Sequence, residues 1–290
     1  MYYAMPRFLA IAALLTALPA AALEVHGHRG ARARYPENSL PAFEHALEVG
    51  ADVLELDVAI TRDDVPVVTH DLYLNGLICQ GPKGEAVAKK GPRIRELSLA
   101  ELRGYDCGSK PNPDFPLQKR VPGARIPTLD ELFAFVKGSA RPDVRFNVET
   151  KIDADDPEAA PAPQRFVELI LNVVREHKAT DRVLLQSFDR RTLEAARTLE
   201  PELALSMLSG GFFDRPLVWA REFHPQVISP RWQYSSWGMV KQAHALGARV
   251  VPWTANTPSA WNELIREGVD GIITDDPEAL IQHLRKKGIR

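Results

Sequence analysis

The chain has 290 residues, is 45% hydrophobic and 26% charged, and carries a formal net charge of −2. That length suits one large folded domain or two small ones with a sizeable core. The near-neutral balance lacks the basic excess of a nucleic-acid binder, so no nucleic-acid partner is expected.

Residues 1–22 predict a signal peptide. Arg7 supplies the positive start, Phe8 to Leu18 the apolar centre, and Ala20 and Ala22 the small-residue cleavage pattern. The apolar run is short for a bilayer span. The mature domain is therefore expected over 23–290, exported to the periplasm or secreted, with no stable membrane insertion once the signal is removed. Losing Arg7, the one charge in 1–22, takes the net charge from −2 to −3.

From Glu24 onward, eight short apolar runs alternate with helical patterns. The runs are Glu24–His28, Val53–Val58, Val144–Thr150, Arg182–Phe188, Leu203–Leu208, Gln226–Ser229, Arg249–Thr254 and Gly271–Thr274. The first helix is predicted over Ser39–Val49, with Leu40, Phe43 and Leu47 on one face, Ser39 as N-cap and Gly50 as stop. Thr128 and Glu131 form a capping box that opens another. Asp276 and Pro277 open the last, which ends in Lys286, Lys287 and Gly288. Eight strand–helix units of this size predict an α/β fold, a (β/α)8 TIM barrel. A doubly wound open sheet is the rival, but no glycine-rich dinucleotide turn follows the first strand.

Two segments break the alternation. VPVVTHD follows LELDV after the short turn TRDD, too close for a parallel crossover, so the pair predicts an antiparallel hairpin. With the turn centred on Asp63 and Asp64, His70 would lie across from Asp57. Residues 72–127, after the His70–Asp71 element, are too long for an ordinary loop and are read as an insertion standing over the barrel mouth, with one short capped helix at Ser98–Arg103. The insertion holds the two cysteines, Cys79 and Cys107. In an exported protein these predict a disulfide, worth roughly 3–4 kcal/mol by loop closure.

Active sites of parallel barrels lie at the carboxyl ends of the strands. His28 and Arg29 end the first run, Glu55 and Asp57 the second, Glu149 and Lys151 the third, Gln186 and Ser187 the fourth, and Trp253 and Thr254 the seventh. Residues two apart on a strand face the same way, so Glu55 and Asp57 can both point inward. Taken singly, an HR or ExD pair is common and an E-x-K is usually a surface ion pair. Their convergence on one rim is what points to chemistry. Three carboxylates in one pocket call for a cation, and a hard divalent ion, Ca2+ or Mg2+, suits oxygen ligands. Two imidazoles can take and give a proton, while a guanidinium holds a phosphoryl charge. His26 reads as interior filler and Trp253 as packing or an aromatic wall. Asp276 reads as a helix cap, and Asp71 as a residue that orients His70 or caps a turn.

The motifs HRG at 28–30, PENS at 36–39, ELD at 55–57, HD at 70–71, ETK at 149–151, QSF at 186–188, WTAN at 253–256 and DGIITDDP at 270–277 together resemble the glycerophosphodiester phosphodiesterase family. They run in family order over about residues 24–285. The resemblance implies a TIM barrel of the phosphatidylinositol-phospholipase-C-like type. It implies His28 and His70 as the acid–base pair, Glu55, Asp57 and Glu149 as metal ligands, and Arg29, Lys151 and Asn38 near the phosphate. Trp253 would line the substrate. The implied reaction is metal-dependent hydrolysis of a small-molecule glycerophosphodiester to glycerol 3-phosphate and an alcohol. PENS departs from the more usual PENT but keeps the hydroxyl. One rival activity is lysophospholipase-D-like and needs an apolar ledge by the mouth, for which Phe212, Phe213, Trp232 and Trp237 are candidates. A second rival is an exported protein that binds glycerophosphodiesters without turnover, against which the full set of histidines and acids argues.

Overall fold

The computed structural model describes residues 23–211 and 214–290, so the signal peptide and Phe212 and Phe213 lie outside the described residues. Eight parallel strands form a nearly closed barrel with helices between them: β1 (Glu24–Gly27), β2 (Val53–Ile60), β4 (Arg145–Thr150), β5 (Val183–Ser187), β6 (Ala204–Ser209), β7 (Val227–Pro230), β8 (Arg249–Val250) and β9 (Gly271–Thr274). β3 (Pro66–Val68) is a branch, antiparallel to β2. The order around the wall is β8-β7-β6-β5-β4-β2-β1-β9. Backbone bonds from Asp270 N and Ile273 N to Val250 O and Pro252 O, each 2.9 Å, bring β9 back to β8.

The strands are buried on both faces, as parallel strands under a helical ring must be. Leu54, Leu56, Phe146, Val148 and Leu185 face the helices and join the main apolar core. Alternate positions, Glu55, Asn147, Gln186 and Ser206, are also buried but polar. The barrel interior is therefore a polar shaft with a small apolar plug of Val227, Val251 and Ile273.

Local signals behave as the sequence predicts. Helix Leu40–Val49 is capped by Ser39, stopped by Gly50 at φ 93°, and buries Ala42, Phe43, Ala46 and Leu47. The Thr128–Glu131 capping box is formed in both directions, at 3.0 and 2.8 Å. Asp276 caps helix Pro277–Lys286 through the Ala279 N–H.

The hairpin forms, but its register is one residue from expectation. Val58 pairs with Val68 and Ile60 with Pro66, so Thr69 rather than His70 lies across from Asp57, and the Thr69 N–H bonds the Asp57 carbonyl at 3.0 Å. The cause is the turn: Thr61 closes on Val65, leaving three residues between them with Asp64 at φ 60°. A three-residue loop with a left-handed member replaces the two-residue turn that the Asp63–Asp64 pair suggests.

The insertion also differs from expectation. Leu74, Cys79, Ile94 and Leu102 form a separate apolar cluster with Ala59 and Val67 on the outer side of the hairpin. Cys79 and Cys107 are joined as a disulfide. The insertion flanks the mouth and braces the loop after β1: Gln118 Nε2 donates to the Arg32 carbonyl at 2.6 Å, and the Arg32 guanidinium stacks on Phe115. It contributes none of the described residues that line the barrel-mouth cavity.

Candidate active site

The carboxyl ends of the strands surround a cavity of about 240 Å3, lined by His28, Arg29, Glu55, His70, Glu149, Lys151 and Trp253 together with Arg32, Gln186 and Phe188. The turn after β1 sets His28 and Arg29, and β2 carries Glu55. Arg29 has φ 50° and Gly30 φ 84°, and a Cβ on Gly30 would lie 2.7 Å from the Ala42 backbone, so the helix can approach only a glycine. This left-handed turn aims the Arg29 N–H at Glu55 Oε2, 2.8 Å away. Gln186 Nε2 donates to the other Glu55 oxygen at 2.8 Å and is itself held by Asn147 Nδ2 at 2.9 Å.

Glu55, Asp57 and Glu149 are all buried, and one oxygen from each lies within 4.8 Å of the others. Burial, then Asp57 and Glu149, push the Glu55 carboxyl well above the usual range. Burial also raises Glu149, opposed by Lys151 at 2.7 Å and reinforced by Asp57. Asp57 goes the other way: burial opposes its charge, but His70, Arg29 and Lys151 outweigh it and hold the carboxyl low. Its Oδ1 is buried without a hydrogen-bond partner. Crowded, desolvated carboxylates with a spare oxygen fit a hard divalent cation, which supplies the charge that the two basic side chains do not.

Both histidines are held at Nδ1 by a carboxylate. His28 meets Asp275 Oδ1 at 2.5 Å, and His70 meets Asp71 Oδ1 at 2.9 Å. An ionised carboxylate only accepts, so each Nδ1 carries the hydrogen and each Nε2 is free to exchange a proton. Burial pushes His28 below its usual value, countered by Asp275. His28 and Arg32 overcome the upward effect of burial on Asp275 and hold it at about 2.

The predicted residues meet here. Asn38 is buried against Asp57, and its Nδ2 donates to Asp57 Oδ2 at 2.9 Å. Arg29 reaches Asp57 at 3.3 Å and Glu37 at 2.6 Å, and Lys151 reaches Glu149 at 2.7 Å. The Trp253 ring stands edge-on to Phe188 with centroids 5.5 Å apart, and its indole N–H donates to the Ser229 carbonyl. His26 is buried in the shaft as expected. The sequence reading leaves out Asp275 as the partner of His28, although it directly follows β9 at a strand end. Its neighbour Asp276 offers a competing explanation as a helix cap, and only Asp276 caps. Glu37, the partner of Arg29, carries no separate signal inside PENS.

Comparison with known proteins places this geometry. Residues 28–279 match the model of the glycerophosphoryl diester phosphodiesterase family. A glycerophosphodiester phosphodiesterase of Caldanaerobacter subterraneus is 30% identical over 264 residues, covering 91% of this chain and 98% of the relative. The solved structure of a candidate glycerophosphoryl diester phosphodiesterase from Silicibacter pomeroyi superposes with a TM-score of 0.87 at 31% identity, over 92% of this chain and 95% of that one. An Oleispira antarctica phosphodiesterase, solved with the product sn-glycerol-3-phosphate, shares the fold with a TM-score of 0.75 at 23% identity, over 91% and 97% of the two chains.

Proposed function

The chain belongs to the glycerophosphoryl diester phosphodiesterase family, and from that premise we propose that it hydrolyses glycerophosphodiesters to glycerol 3-phosphate and an alcohol. The observation that carries this reading is the meeting of two carboxylate-held histidines with Glu55 and Glu149 around one cavity, where those two acids cluster with the buried Asp57.

Glu55, Asp57 and Glu149 would hold Ca2+ or Mg2+, and the bound ion would neutralise and polarise the phosphodiester. Arg29 and Lys151 bind the phosphoryl oxygens. Their partners Glu37 and Glu149 fix where they stand and keep both charged. One neutral imidazole takes at Nε2 the proton of the attacking oxygen, from water or the glycerol 2-hydroxyl, as the new P–O bond forms. The other, entering as imidazolium, gives its Nε2 proton to the departing alkoxide as the old P–O bond breaks. Attack by the 2-hydroxyl leaves a cyclic phosphate, which water then opens to glycerol 3-phosphate, the now neutral ring taking the water's proton and the protonated ring returning one to the 2-oxygen. Asp275 and Asp71 keep each ring in the tautomer that makes this exchange possible. Trp253 and Phe188 offer apolar faces to the carbon skeleton.

A screen of glycerophosphodiesters for glycerol 3-phosphate release, with and without added metal, tests the proposal. Metal-stimulated release supports it; tight binding by calorimetry with no product would instead make this an exported binding protein. Exposed apolar residues favour a second reading, a lysophospholipase-D-like activity on single-chain lipids. Phe188 is 49% exposed beside the cavity, and Trp237, which opens the helix after β7 at the same end of the barrel, is 63% exposed. Trp232 is half-buried and packs on the core, so it adds little to such a ledge. Comparing turnover of glycerophosphocholine and lysophosphatidylcholine separates the two activities. Export of the mature chain to the periplasm or beyond belongs to the same proposal and is checked by N-terminal sequencing of the cell-fractionated protein.

A further inference from the structure

The two histidines are held in place by different parts of the molecule. His28 rests on Asp275, which follows β9, and Asp275 rests on Asn256 Nδ2 at 2.6 Å and on Arg32 at 2.8 Å. All four lie on loops at the barrel's own strand ends, and the insertion touches this relay only at its outer member, where Gln118 and Phe115 contact Arg32. His70 rests on Asp71, and the second oxygen of Asp71 accepts from Asn75 Nδ2 at 2.7 Å. Asn75 belongs to the insertion.

Asn75 is committed at both ends of its amide. While Nδ2 holds Asp71, Oδ1 accepts the Leu77 N–H at 2.9 Å, which fixes which way the amide faces. Its backbone carbonyl accepts the N–H groups of Ile78 at 3.2 Å and Cys79 at 2.8 Å. Cys79 is buried and bonded to Cys107. The preceding residue, Leu74, is buried in the insertion's own apolar cluster and exchanges backbone bonds with Gly91 and Pro92. Asn75 is thus fastened to the disulfide-closed insertion outside the barrel. This support matters more for His70 than it would for His28. The His70 side chain is 33% exposed and the His28 side chain 13%, so water competes harder for the His70–Asp71 bond.

We propose that Asn75 is a positioning residue for His70, acting through Asp71, and that the insertion thereby sets the pose of one half of the acid–base pair. The inference rests on the reading of His70 as an acid–base group. A partner one bond removed from a functional histidine, as Asp71 is, is typically worth about 10–100-fold, and Asn75 stands one bond further out. The insertion thus gains a role although it lines no part of the cavity.

The test uses the full chain loaded with Mg2+ or Ca2+ and glycerophosphocholine as substrate. Asn75→Ala is expected to lower kcat by up to about tenfold, less than Asp71→Ala, while KM stays within about twofold, since phosphate and metal contacts are untouched. Asn75→Asp, nearly the same shape, is expected to lose at least as much, because it sets a second carboxylate against Asp71. In an Asp71→Ala background, Asn75→Ala should cost nothing further, as two residues on one relay are not additive. A thermal melt of each variant accompanies the kinetics. Unchanged kcat in Asn75→Ala overturns the inference. So does a loss that multiplies onto Asp71→Ala, or one that follows a falling melting temperature, since either marks a general structural role. Near-native turnover of His70→Ala would instead remove the underlying reading of the site, a separate failure.

Discussion

The two ends of the barrel bury similar side chains and treat them oppositely. Strand β1 serves both, because Glu24, His26 and then His28 fall on alternate residues of one face. At the floor, one carboxylate is surrounded by two arginines and a buried imidazole: Glu24 meets His26 at 3.3 Å, Arg145 at 2.9 Å and Arg249 at 2.7 Å. Burial alone would raise that carboxyl, but His26 and Arg249 pull it well below the usual range. At the mouth, three carboxylates share space with Arg29 and Lys151, and Glu55 is driven upward. The floor is a closed ion pair whose business is holding strands together. The mouth keeps like charges together at a cost in stability, which a fold retains where a ligand will complete the set.

Metal removal breaks this comparison most severely. Excess chelator should abolish turnover, and Ca2+ or Mg2+ should restore it. Full activity in chelator would put the mouth on the same footing as the floor. Next come the histidines, which occupy both ends. His28→Ala and His70→Ala should each cost at least about 100-fold in kcat. His26→Gln, two residues back along β1 and outside the cavity, should stay within about threefold. Steady-state kinetics on the three variants decides whether burial of a histidine in this barrel predicts anything by itself.

A stability contrast sharpens the point. Glu24→Gln strands Arg145 and Arg249 and should destabilise the metal-free protein by about 1–3 kcal/mol, less than a fully buried pair because both arginines are partly exposed. Glu149→Gln keeps an oxygen for Lys151 while removing one of three repelling charges, and should leave the metal-free melting temperature unchanged or higher, while abolishing the rise that added metal gives the parent protein. Equal destabilisation by both variants would show that the mouth acids are structural ion pairs like the floor.

How much of this was legible before any coordinates depends on the range of the interaction. The strands and their order follow from apolar runs and caps, which are local. The convergence of Glu55, Asp57 and Glu149 follows from period-2 geometry plus the rule that barrel sites lie at strand ends. The hairpin was legible and its register was not, because Asp64 adopts a left-handed conformation that TRDD does not announce. The placement of Asn38 on Asp57 and the pairing of His28 with Asp275, 247 residues apart, are tertiary. The insertion was the least legible part. Its length suggested a cover over the mouth, whereas its apolar residues pack on the outside of the hairpin.

The smallest effect concerns the seam between the two regimes, Asp275. Although buried at the mouth, it behaves like the floor acid, with His28 and Arg32 holding it at about 2. Relative to an ordinary value near 4, that depression corresponds to about 2 kcal/mol. The folded state binds this proton less readily than the unfolded chain does. Its contribution is therefore complete above about pH 4 and lost as pH falls from there towards about 2. Glu55 has the opposite sign: with a raised folded value it costs stability as pH climbs through that value and it ionises. Urea unfolding of the metal-free protein across the acid range should show both slopes. Asp275→Asn should flatten the limb below pH 4 and leave the Glu55 limb in place. An unchanged acid limb would mean that the unfolded chain, not the mouth, governs its stability there.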